Sequence, residues 1–101
     1  MSTVPAQMGC AFYWAHNDGL GGHVWLSDRD LRALTDEMLV QGMPWPAERV
    51  AGDSAIAADE VESVLDAAEP EPKVLPDAKL WLDWLRFLEG AAVNGGLLVR
   101  R

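Results

Sequence analysis

A chain of 101 residues, 50% apolar and 24% charged, has room for one hydrophobic core and the composition of an ordinary globular domain, which excludes a disordered, collagenous or disulfide-framework chain. With 16 acidic against 8 basic side chains the formal net charge is -8, so phosphate backbones and anionic membrane surfaces are repelled at long range and direct nucleic-acid binding is not expected. Cys10 is the single cysteine and cannot close an intramolecular disulfide, and Met1 to Gly9 carries no secretory-signal pattern, so a soluble cytoplasmic protein is expected.

Cys10-Ala11-Phe12-Tyr13-Trp14-Ala15 and His23-Val24-Trp25-Leu26 read as two strands. Between them Asn17-Asp18-Gly19-Leu20-Gly21-Gly22 supplies the turn chemistry of a β-hairpin, glycine reaching positive φ at low steric cost. In a regular strand Phe12 and Trp14 share one face and Tyr13 takes the other. Ser27 then stands as an N-cap before Asp28-Arg29-Asp30, and Leu31, Leu34, Met38 and Leu39 make the apolar stripe of an amphipathic helix that Gly42 and Pro44 close. Pro44-Trp45-Pro46 predicts an extended connector.

A second amphipathic pattern places Val61, Val64, Leu65 and Ala68 on one side and Asp59, Glu60, Glu62, Ser63 and Asp66 on the other, starting between Ser54 and Asp59. Pro70, Pro72 and Pro76 impose an extended linker from Glu69 to Pro76. The helix over 77–93 is the most apolar element. Only Lys79, Asp83, Arg86 and Gly90 form a polar stripe, so it is either the centre of the core or half turned to a partner. Asn94-Gly95-Gly96 stops it, and Leu97-Leu98-Val99 reads as a final strand. The expected fold is one α+β domain over 1–101, with a small antiparallel sheet of the hairpin plus the last strand packed against about three helices.

Candidate chemistry is sparse. His16 and His23 bracket the hairpin loop and are expected roughly opposite each other, where with Asp18 they could hold zinc or nickel; the alternative is that they simply close the wet end of the hairpin. Gly19-Leu20-Gly21 begins like a dinucleotide-binding loop, but Val24 stands where the third glycine belongs and a strand follows where a helix is needed. Cys10, in an apolar strand, reads as a buried thiol rather than a nucleophile. Carboxylate neighbours such as Asp36 and Glu37 follow from the acidic composition and point to no chemistry, so no cofactor is required and an enzyme is not expected.

Charge geography is more informative. Val50 to Pro72 holds Asp53, Asp59, Glu60, Glu62, Asp66, Glu69 and Glu71 and no lysine or arginine. Such a field favours association with a basic partner. Of the five tryptophans, Trp81 and Trp84 are expected in the core and Trp14 and Trp25 in the sheet; Trp45 is the candidate exposed anchor, with a lid over the core as the alternative. The leading expectation is an acidic interaction, inhibitor or immunity-type module binding through Trp45, Asp59, Glu60, Glu62 and Asp66. The alternative is a metal-binding protein using His16, His23 and Asp18, and a third reading pairs the apolar helix with its copy in a homodimer.

Overall fold

A computed structural model describes residues 8–16 and 22–101. The aromatic runs form the expected hairpin, β1 (Gly9–Trp14) against β2 (His23–Ser27), and the last strand, β4 (Leu97–Arg100), lies antiparallel on the other side of β1. A further short strand, β3 (Ser54–Ile56), extends the sheet to the order β2-β1-β4-β3. Three residues carry too little alternation to be read as a strand, and β3 exists because the outer edge of β4 supplies its hydrogen-bond partners.

Strand alternation sorts the sheet into two unlike faces. Cys10, Phe12, Leu26, Ile56, Leu97 and Val99 are buried on one. Their neighbours Tyr13, His23, Trp25, Ala55 and Arg100 are exposed on the other. The helices α1 (Asp28–Val40), α3 (Ala58–Asp66) and α4 (Ala78–Ala92), with the single turn α2 (Ala47–Val50), contribute to one core with the first face, giving an α+β fold.

Each long helix begins where local chemistry predicts. Ser27 Oγ accepts from the Asp30 N–H at 3.1 Å, and Asp77 Oδ1 accepts from the Leu80 N–H at 3.0 Å. Within α4, Trp81, Trp84, Leu85, Leu88 and Ala91 are buried at helical spacing, so this helix is the centre of the core. Leu82 is its only large apolar residue among the exposed ones, which leaves little of the helix for a second copy. In α1, Leu31, Leu34 and Met38 are buried as expected, but Leu39 is 75% exposed and Glu37 is fully buried. These two residues flank Met38 at about 100° on either side of the helix. The proline-rich segment 69–76 packs on the Glu37 side.

The expected extended connector at Pro44-Trp45-Pro46 is instead a pair of tight turns. Trp45 N–H donates to Met43 C=O at 2.8 Å and Ala47 N–H to Trp45 C=O at 2.9 Å. At the other end of the chain Gly95 and Gly96 turn α4 into β4 with φ of 82° and 96°. A side chain at Gly96 would also run into the Ile56 carbonyl and the backbone at Ala57 and Ala58. Gly96→Ala is therefore expected to cost about 3 kcal/mol in urea unfolding, from the left-handed φ and the backbone clash together. Gly52→Ala, with open space around the new methyl group, serves as the near-neutral control.

Candidate functional site

The histidine pair does not form across the ladder. Register sets His23 opposite Tyr13, with the rings stacked 6.0 Å apart, whereas His16 has left the strand. The His16 N–H donates to Asn94 C=O at 2.7 Å and its ring covers Gly95. The separation arises because β1 ends at Trp14, whose N–H bonds Gly22 C=O, so His16 turns toward the α4–β4 connection instead of continuing the hairpin. Asp18 lies outside the described residues. Among the described residues no group of three His, Cys, Asp or Glu side chains is placed to hold a metal ion.

Cys10 is 1% exposed, and burial raises its thiol pKa, with nearby Arg101 opposing the shift only in part. A thiol so placed is a core residue and a poor nucleophile at neutral pH. Trp45 is likewise drawn into the protein. Its ring packs edge-on to Trp84 at 5.5 Å and tilted to Phe12 at 6.2 Å, making it the lid over the core and not the exposed anchor. The two tight turns fold the indole back, where it gains aromatic packing that an extended connector would forgo. Its buried Nε1–H has no hydrogen-bond partner among the described residues.

The acidic segment separates into two groups. Glu60 is ion-paired to Arg49 and accepts from the Ala57 N–H at the start of α3; these bonds, the Arg49 contact first, lower its pKa. Glu69 pairs with Lys73 at 3.3 Å, and Asp53 accepts from the Arg101 N–H at 2.7 Å. By contrast Asp59, Glu62 and Asp66 are exposed and in no ion pair among the described residues. Spaced i, i+3, i+7, they form one stripe on α3, while Val61 and Val64 bury the opposite side. Glu60 differs from these three in that its charge is matched by Arg49.

One carboxylate that composition alone had made unremarkable is fully buried and accepts four hydrogen bonds. Glu37 accepts the consecutive backbone N–H groups of Lys73, Val74 and Leu75, each at 2.7 Å, and the Gln41 amide at 2.8 Å. Burial alone would raise its pKa; the donors outweigh that and hold it at about 2. Gln41 in turn accepts from the Glu69 N–H at 2.6 Å, so α1 fastens both ends of the segment leading into α4. An isolated glutamate in a helix pattern gives no hint of this, because its partners lie 36 to 38 residues away.

The sheet face turned away from the helices is exposed at Tyr13, His23, Trp25, Ala55 and Arg100. Trp25 is 48% exposed and lies over Gly9, where a side chain would collide with its ring. Trp14, with the opposite parity, is tied to α4 through its Nε1–H and the Phe87 carbonyl at 3.0 Å. No helix among the described residues is long and apolar enough to cross a membrane. Comparison of the chain with family models, with curated proteins and with solved structures finds no match in any of the three.

Proposed function

We propose that this chain is a small protein-interaction module of the inhibitor or immunity type, whose α3 presents an anionic stripe to a basic surface of a partner protein. The observation that carries the reading is the set of Asp59, Glu62 and Asp66, exposed along one side of a helix anchored by Val61 and Val64 and neutralised by no lysine or arginine among the described residues. Carboxylates in that setting attract a cationic surface during encounter and act mainly on the association rate.

The test is the triple variant Asp59→Lys, Glu62→Lys, Asp66→Lys, which leaves Glu60 and its bond to Arg49 in place. With the partner captured from extract, identified and purified, stopped-flow association at low salt is expected to slow roughly tenfold or more. The difference should shrink at high salt, and circular dichroism should report an unchanged fold. Equal association rates for the two proteins at low salt would dismiss the α3 reading.

A further inference from the structure

We propose that the free edge of β2 is a docking site for an extended segment of a partner protein that alternates apolar and basic side chains. This inference does not rest on the α3 stripe. Sheet order puts β2 at one margin. Opposed residues in an antiparallel pair alternate between hydrogen-bonded and non-hydrogen-bonded. Trp14 N–H bonds Gly22 C=O at 2.8 Å and Asp28 N–H bonds Met8 C=O at 3.0 Å. Stepping inward by two residues makes Phe12 with Val24, and Cys10 with Leu26, the bonded pairs, so the backbone groups of His23 and Trp25 point away from β1. Among the described residues nothing bonds them on that side.

Natural sheets guard such edges with charge, proline, bulges or brevity. The β2 sequence His-Val-Trp-Leu-Ser has no proline, lysine, arginine, aspartate or glutamate, and it pairs with β1 through five consecutive residues without a bulge. The opposite margin, β3, is only three residues long. At the end of β2 that leads into α1, Trp25 and Ser27, with Met8 beyond the start of β1, line a groove of about 810 Å³ that also takes in buried Leu75 and half-buried Leu80. An added strand would thus find backbone partners on one side and apolar surface for alternate side chains.

Charge selects the occupant. The groove carries Asp28, Asp30 and Asp77 against the single cation Arg29. Asp28 is shared with Arg101 at 3.4 Å, while Asp30 and Asp77 are in no ion pair among the described residues. A basic segment complements that lining. A second copy would bring another net charge of -8 against the first, so self-pairing is disfavoured.

The probe is a pool of short labelled peptides alternating Lys or Arg with Val, Ile, Leu or Phe, beside a pool with Glu in place of the cations. The wild-type chain is expected to bind the basic pool, and methylating alternate peptide nitrogens to remove the edge hydrogen bonds should weaken binding roughly tenfold or more. His23→Pro, which deletes an outward N–H, and Asp30→Lys, which cancels the net negative charge of the groove lining, should each weaken it comparably. The α3 triple-lysine variant should retain substantial binding that is still lost on N-methylation. Should His23→Pro not fold, the N-methylated peptides on the wild-type chain decide the matter. No binding, equal binding of the Glu pool, or indifference to N-methylation would overturn the proposal. A concentration-dependent dimer in sedimentation that His23→Pro dissolves would assign the edge to a second copy and overturn it too.

Discussion

Glu37→Leu is expected to lower the unfolding free energy by about 3 kcal/mol or more, measured by urea denaturation at neutral pH, because leucine leaves the Lys73, Val74 and Leu75 N–H groups without their acceptor. For a domain whose whole stability is on the order of 5–15 kcal/mol this is a large share. The same carboxylate sets an acid limit. Its pKa in the folded protein, about 2, lies below the ordinary 4.5, so its contribution is fully present above about 4.5 and drains away as pH falls toward about 2. The wild-type protein should lose stability across that window, and Glu37→Leu should flatten the profile there. A loss under about 1 kcal/mol with an unchanged acid profile would mean that the segment 73–75 holds its place without the carboxylate.

The second large effect is at Trp84. Its ring meets Phe12 edge-on at 5.2 Å and stacks on Phe87 at 6.0 Å, and its Nε1–H points to the Met38 sulfur at 3.4 Å. Trp84→Ala empties the junction of β1, α1 and α4 and removes the surface on which Trp45 rests, so a loss of about 3–5 kcal/mol is expected in urea unfolding. Trp84→Phe keeps much of the aromatic contact and should cost clearly less. Equal losses for the two variants would show that the indole nitrogen, and not the filled volume, matters most.

These two positions also show how far a linear reading reaches. Trp84 was legible as core because it recurs with Trp81, Leu85 and Leu88 at helical spacing. Glu37 was not, because a carboxylate between Asp36 and Met38 looks like one more solvated acid until a distant stretch of backbone arrives to bond it. Trp45 stood open between anchor and lid, and what resolved it was the direction of the turns at Pro44 and Pro46. The His16 and His23 pairing failed on register, which depends on where β1 ends and not on how many residues separate the rings. On α3 the apolar and acidic sides were read correctly, yet the ion pair that matches the charge of Glu60 joins it to Arg49, eleven residues earlier on another turn of helix.

Periodicity, caps and glycine placement were enough to establish the hairpin, three of the helices, the closing strand and the α+β class, because each depends on residues within a turn or two of one another. The fourth strand, the buried carboxylate, the tryptophan lid and the place of β2 at the margin of the sheet came only with the folded chain. Each depends on groups far apart in sequence, whose meeting is set by packing around α4 rather than by local preference.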